Sequence, residues 1–325
     1  MGKSIDKCID KSIDKKELNS LDDFVADSSI IDTLKFAIGA SKVTGEPLKH
    51  IFLYGAGGLG KSALAELIYK EYNPHGKFCV LFGPKINNDG TIVKDIKSLK
   101  DGDVLFIDEV HAIKPVIREM LYSIIQDNVM HVTSPTQTKL AWPVAKITII
   151  AATTDMFKLT DSFIDRFPFK IELLPYTQEQ LIKIVQLHCN MDITYDACKQ
   201  IAESSNGVAR VAVESLRRIV TFAQFKQINK ITLSDVIECF KIMAIDPHGL
   251  TRTQREYINL LADNFMSGMS IDRIATILNK PREEITRFIE PHLVKNGYIE
   301  VSSRGRSITQ KGLNLTLAPG SPLLT

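Results

Sequence analysis

The chain has 325 residues, 44% hydrophobic and 24% charged, and its 40 basic side chains against 38 acidic ones leave a net charge of +2. That length accommodates two or three domains, and the balanced charge excludes bulk attraction to polyanions, so any nucleic-acid contact must come from local patches. Five scattered cysteines with no C-x-x-C pair read as reduced thiols, no apolar run nears the roughly 20 residues of a membrane span, and the charged N-terminus lacks a signal-peptide core, which points to the cytoplasm.

Residues 3–14 repeat a tetrapeptide, "KSID KCID KSID", whose alternating charges suit a poorly ordered tail over residues 1–20. From about residue 28 the signals alternate. The helix "IIDTLKFAIGASKV" precedes the strand "HIFLYG", the helix "KSALAELIYKEY" and the strand "KFCVLFG". The helix-like "TIVKDIKSL", the strand "DVLFID", the helix "PVIREMLYSIIQ" and the strand "KITIIAATT" come next. Such alternation predicts an α/β domain over residues 21–176, a parallel sheet with helices on both faces.

After Tyr176 the strands stop. "TQEQLIKIVQLHC" opens with a capping-box pattern from Thr177 to Gln180, and three more helical stretches succeed it. This predicts a small all-helical domain over 177–246. "DPHG", residues 246–249, punctuates the boundary to a last unit over 247–315. There "TQREYINLLADNF", with a capping box from Thr253 to Glu256, leads to two further helical stretches. "YIEVSS-RGR-SITQKG" then reads as two strands around a basic turn. Three helices and a two-stranded wing make a winged-helix module, a shape that serves DNA binding and protein docking alike. Residues 316–325 form a C-terminal tail.

Two motifs carry chemistry. "GAGGLGKS", Gly55 to Ser62, fits G-x-x-x-x-G-K-[ST] between a predicted strand and a predicted helix. Its loop, Gly55, Gly57, Gly58, Leu59 and Gly60, leaves backbone N–H groups free to close around phosphate oxygens. Lys61 reaches the β/γ-phosphates, Ser62 ligates Mg²⁺, and Ala63 continues the helix whose positive end faces the anion. The second motif, "VLFIDEVHAIKP", stops a buried strand on two acids. Beside a P-loop, Asp108 becomes the metal-side carboxylate and Glu109 the base for an attacking water. Thr154, at a second strand end, and Arg166 and Arg210 are candidates for the γ-phosphoryl charge. ATP and Mg²⁺ are the implied substrate and metal.

The order of these blocks resembles the bacterial RuvB family, the AAA+ motor of Holliday-junction branch migration. "GEPLKHIFLYGAGGLGKSALA", "LKDGDVLFIDEVHAIKPVIREMLY", "IIAATTD…DSFIDRFPF…PYTQEQL", "GVARVAVESLRRI" and "IEPHLVKNGYIEVSSRGR" carry the resemblance, which spans residues 21–313. It implies Thr154 as sensor 1, Arg210 as sensor 2 and Arg166 as an arginine finger offered to a neighbouring subunit. It also implies Phe24, Val25 and Tyr176 around adenine, and Arg304 and Arg306 against the DNA backbone. The implied assembly is a homo-hexameric ring on duplex DNA at four-way junctions, working with a RuvA-type junction binder and a RuvC-type resolvase.

The chain departs from the family text in several places. Ala56–Gly57 stand where two prolines are common, and Val25–Ala26–Asp27 replace "IGQ". Asp155, Ile164 and Ala209 replace two arginines and a proline. Residues 128–147, where the family has its RuvA-gripping hairpin, are shorter and share little with it. An alternative class is an ATP-switched DNA-binding regulator or loader without processive translocation. A protein unfoldase is weaker, since no aromatic–hydrophobic–Gly pore loop is present.

Overall fold

The computed structural model describes residues 18–86, 89–133, 139–243, 245–265 and 268–316, so the tetrapeptide repeat and the last nine residues lie outside the described residues. Helix α1 (Ser28–Thr44) precedes β1 (Ile51–Tyr54), α2 (Lys61–Tyr72), β2 (Phe78–Phe82), α3 (Asp89–Lys97), β3 (Val104–Asp108) and α4 (Pro115–Asp127). Then come β4 (Val129–Thr133), β5 (Lys139–Pro143), β6 (Thr148–Thr153), α5 (Asp161–Ile164) and β7 (Phe169–Glu172). Five strands pair in the order β2-β3-β6-β1-β7, all parallel.

Both faces of this sheet are covered, which is why its strands read as unbroken apolar runs. Alternate residues feed two separate cores, as the two-residue period requires. On β3, Leu105 and Ile107 join one core while Val104 and Phe106 join the other. Helices α3 and α4 cover the first face through Ile92, Ile117 and Leu121. Helices α1 and α2 cover the second through Leu34, Leu64 and Ile68. Strand β6 lies between β1 and β3, so the ends of all three converge at one edge of the domain.

Within residues 128–147, β4 pairs antiparallel with β5 from Val129↔Pro143 to Thr133↔Lys139.

Past the sheet come α6 (Gln178–His188), α7 (Tyr195–Glu203), α8 (Ala209–Phe225) and α9 (Leu233–Ile242). The expected capping box is present: the Thr177 hydroxyl accepts from Gln180 N–H, and the Gln180 side chain accepts from Thr177 N–H. The all-helical expectation misses one feature. Strands β8 (Asp192–Ile193) and β9 (Lys230–Ile231) pair in parallel, each too short to leave a periodic pattern.

The chain divides into two compact units at Val236/Ile237, inside α9. The second holds α10 (Arg252–Ala262), α11 (Ile271–Leu278), α12 (Arg282–Glu284), a π-helical segment (Ile285–Ile289), α13 (Glu290–Lys295), β10 (Ile299–Ser302), β11 (Gly305–Ile308) and α14 (Gln310–Thr316). Tyr257, Ile258, Ile274, Ile285 and Leu293 centre its core. This is a winged helix, with three corrections to the sequence reading. The capping box of α10 runs from Thr251 to Gln254, not from Thr253 to Glu256; Thr253 already lies in the first turn, and Glu256 instead pairs with Arg252. The third helix is broken by the π segment just before Pro291, whose missing N–H cannot close a regular turn. The second wing strand ends at Ile308, because the Thr309 hydroxyl accepts from Gly312 N–H and starts α14.

Candidate functional site

The loop between β1 and α2 is built by backbone conformations that side chains oppose. Gly58 (φ 80°) and Gly60 (φ 96°) are left-handed. A Cβ on Gly58 would come within 2.8 Å of Val208 and 3.1 Å of Arg210, and one on Gly60 within 3.1 Å of the Phe24 ring. Gly57 has no such constraint; the nearest atom to an added Cβ is on Thr154 at 3.9 Å.

Lys61 begins α2 with its side chain folded under the loop, donating to the carbonyls of Gly55 at 2.8 Å and Ala56 at 2.9 Å. It is only 6% exposed. Burial lowers its pKa, helped by Arg210 and opposed by Glu109 and Asp108. The Ser62 hydroxyl donates to Asp108 Oδ2 at 3.0 Å, which puts both expected metal ligands side by side. Asp108 Oδ1 accepts the Glu109 N–H at 3.0 Å.

Glu109 sits in the left-handed region (φ 53°), a strained choice for a non-glycine residue that turns the chain sharply off β3. Its Oε2 accepts from Thr154 N–H at 3.1 Å and from the Thr154 hydroxyl at 2.8 Å. The strand order makes this possible, since β6 brings Thr154 directly beside the end of β3.

The helical region closes the other side. Arg210 N–H, at the start of α8, donates to Gly58 O at 3.1 Å. The Tyr176 hydroxyl donates to Leu59 O at 2.8 Å, and burial pushes its pKa up to about 12. A cavity of about 390 Å³ results. Phe24, Val25, Gly57, Gly58, Gly60, Lys61, Ser62, Ala63, Asp108, Glu109, Thr154, Tyr176 and Arg210 all line it. Gly55 and Leu59 contribute through their carbonyls, and the Leu59 side chain is fully buried.

Leu18, Ile184, Leu187, His188 and Val213 also line the cavity and escape the sequence reading. Their signal is present as spacing: Ile184, Leu187 and His188 at i, i+3, i+4 form one helical stripe, as do Arg210 and Val213. Nothing in the sequence says which stripe faces a ligand. The lining thus combines apolar side chains, Phe24, Val25, Ile184, Leu187 and Val213, with a lysine, an arginine and three carboxylates, Asp23, Asp108 and Glu109. Such a pocket beside a phosphate-binding loop fits a nucleotide with a divalent metal.

Arg166 lies outside this cavity. Its guanidinium stacks 3.9 Å from the centre of the Tyr122 ring and donates to the Tyr122 hydroxyl at 2.7 Å, while its buried Nε has no partner. Arg304 and Arg306 belong to the second unit. Arg304 is exposed in the turn between β10 and β11. Arg306 instead turns inward, donating to Glu290 through Nε at 2.8 Å and through a terminal nitrogen at 3.2 Å. Glu290 also accepts from the buried Tyr257 hydroxyl at 2.7 Å.

A P-loop at the end of one strand, an acid pair one strand away across an inserted strand, and helices that carry an arginine back to the loop define a P-loop ATPase fold of the AAA+ class. Family comparison narrows the class. Residues 17–173 match the Holliday junction DNA helicase RuvB P-loop domain, residues 176–246 the RuvB AAA lid domain, and residues 247–316 the RuvB C-terminal winged helix domain. The chain belongs to the RuvB family.

Solved structures agree. A proline-to-glycine mutant of Thermotoga maritima RuvB is 28% identical, with a TM-score of 0.76 over 93% of this chain and 100% of that one. A threonine-to-valine mutant of the same protein is 27% identical, with a TM-score of 0.74 over 94% and 99%. The Thermotoga maritima RuvB Holliday junction branch migration motor is 28% identical, with a TM-score of 0.73 over 92% and 97%.

Proposed function

We propose that this chain is an ATP-hydrolysing DNA motor that drives branch migration of Holliday junctions, as a cytoplasmic hexameric ring on duplex DNA working with a RuvA-type junction binder and a RuvC-type resolvase. The domain limits proposed are 21–176 for the ATPase, 177–246 for the lid and 247–315 for the winged helix. Lys61 and Arg210 hold the phosphates, Ser62 and Asp108 hold Mg²⁺, and Phe24, Val25 and Tyr176 pack around adenine. When bound, the metal supplies Lewis-acid charge to the β/γ oxygens. Glu109 takes the proton of the attacking water, Thr154 fixes that carboxylate, and Arg166 serves the neighbouring subunit's site.

The observation that carries hydrolysis, as opposed to binding alone, is the Glu109 carboxylate. It lines the cavity next to Asp108 and is held by two donors from Thr154. A pocket that only bound nucleotide would have no use for a second, separately oriented acid. No described helix is long and apolar enough to cross a membrane.

Glu109→Gln keeps the shape and removes the base. The expected result is unchanged ATP binding with kcat lowered on the order of 10²-fold or more. Steady-state hydrolysis and equilibrium binding of a fluorescent ATP analogue measure the two quantities, and normal turnover in the mutant removes the base assignment. Running the same assay with circular duplex DNA separates a motor, whose hydrolysis DNA stimulates, from an ATP-switched loader that ignores it.

A further inference from the structure

One oxygen of Glu109 is approached from two sides. Two hydrogen bonds come from Thr154, and on the other side His111 Nδ1 lies 3.2 Å from Glu109 Oε2. His111 belongs to the short turn Val110–Ala112 directly after the left-handed Glu109. Its Nδ1 is also 2.9 Å from the hydroxyl of Thr153, the last residue of β6, which itself accepts the Asp155 N–H at 3.0 Å. A carboxylate oxygen only accepts, so its closeness favours the tautomer with the proton on Nδ1, where it is donated to the Thr153 hydroxyl while the positive edge of the ring faces Glu109 Oε2. The ring is 15% exposed and the Glu109 side chain 24%. Among the described residues, no hydrogen bond of comparable kind goes to Glu109 Oε1.

We infer that His111 is a positioning residue for Glu109: it closes the side of Oε2 opposite the two Thr154 donors and so offers Oε1 to the attacking water. The inference rests on the reading of Glu109 as the base. A glutamate has three side-chain torsions, and Thr154 alone restrains its carboxylate from one direction. His111 approaches from Glu109's own turn and is itself braced by Thr153, so the two sides together fix the carboxylate across the gap between β3 and β6. A base held this way loses little orientational freedom at the moment of reaction.

The test uses the full chain with His111→Ala, His111→Asn and His111→Gln, and the same alanine on a Glu109→Gln background. Asn places an amide N–H near the Nδ1 position, whereas Gln places it near Nε2. The expected result for His111→Ala is kcat lowered about tenfold, with KM and the affinity for a fluorescent ADP analogue unchanged within about twofold. Asn recovers most of the loss and Gln does not. Added to Glu109→Gln, the alanine produces no further fall, because the group it positions is already gone.

Three results overturn the inference: a kcat within about twofold for His111→Ala, equal impairment of the Ala and Asn variants, or losses that multiply in the double mutant. A Glu109→Gln chain that turns over normally instead removes the base reading, and the positioning role with it. If His111→Ala fails to fold, the Asn and Gln pair carries the same decision.

Discussion

His50 is a histidine that the fold accepts only as a neutral ring. It precedes β1, its Nδ1 accepts the Ile149 N–H at 3.0 Å, and the Phe167 ring meets it edge-on at 6.4 Å. Burial pushes its pKa down to about 4 from 6.5, opposed by a backbone hydrogen bond to Ile125 and helped by the nearby Lys49 charge. Above pH 6.5 both folded and unfolded chains carry it neutral, and its contribution is complete. Between pH 6.5 and about 4 the unfolded chain takes a proton that the folded chain refuses, so stability falls as pH falls. From pH 7.5 to 5 that linkage is worth about 2 kcal/mol. Urea unfolding at the two pH values, compared between the natural chain and His50→Asn, should show the natural chain losing about that much more. Equal losses would clear His50 of any part in the acid sensitivity. At this scale the phosphate loop and acid pair are readable because phosphate and metal chemistry use contiguous residues. His50 and His111 are not, since their partners lie at Ile149 and Thr153 on another strand and exist only once the sheet has formed.

Secondary-structure elements are legible where one period dominates. The strand β3 and helix α2 begin and end as their apolar spacing predicts, because two buried faces leave no competing pattern. Where a local hydrogen bond sets the limit, the sequence misleads: the pattern from Thr253 to Glu256 resembles a cap, but the helix is capped by Thr251, whose hydroxyl accepts from Gln254 N–H. In the wing this difference reaches function. Arg304 and Arg306 look equivalent in "RGR", but Arg304 falls in the turn before β11, while Arg306 lies in that strand and is held by the Glu290 carboxylate. Arg306 is 16% exposed and paired with a carboxylate that is 8% exposed, while Arg304 stands in the open turn. Removing one partner of such a buried pair costs about 3–5 kcal/mol, while an exposed arginine is worth little to the fold. Arg306→Ala should therefore lower the stability of the winged helix and leave the salt dependence of DNA binding to the molecules still folded nearly unchanged. Arg304→Ala should spare stability and flatten the slope of log affinity against log salt by roughly one phosphate contact. Salt titrations of duplex binding beside thermal unfolding decide it; the opposite pattern would return Arg306 to the DNA surface.

At the scale of the whole molecule, the proposed ring gives Arg166 a role at a neighbouring subunit's nucleotide. In its own subunit it contacts Tyr122 and does not line the nucleotide cavity. Its buried Nε makes no hydrogen bond, so this placement leaves some of the arginine's capacity unused. An arginine supplied to a neighbour's γ-phosphoryl group is worth about 10³–10⁵ in rate. On that reading Arg166→Ala and Lys61→Ala each abolish hydrolysis alone, for different reasons: the first spoils the adjacent site and the second its own. A site is complete when an Arg166→Ala subunit supplies the loop lysine and a Lys61→Ala subunit supplies the arginine. In an equimolar mixture that exchanges subunits at random, about a quarter of interfaces meet this condition, so about a quarter of the natural rate should return. A mixture as inactive as its components would mean that Arg166 acts within its own chain, bracing Tyr122, and that the nucleotide site needs no neighbour. Recovery would make the ring itself the catalytic unit, since neither subunit type carries a whole site.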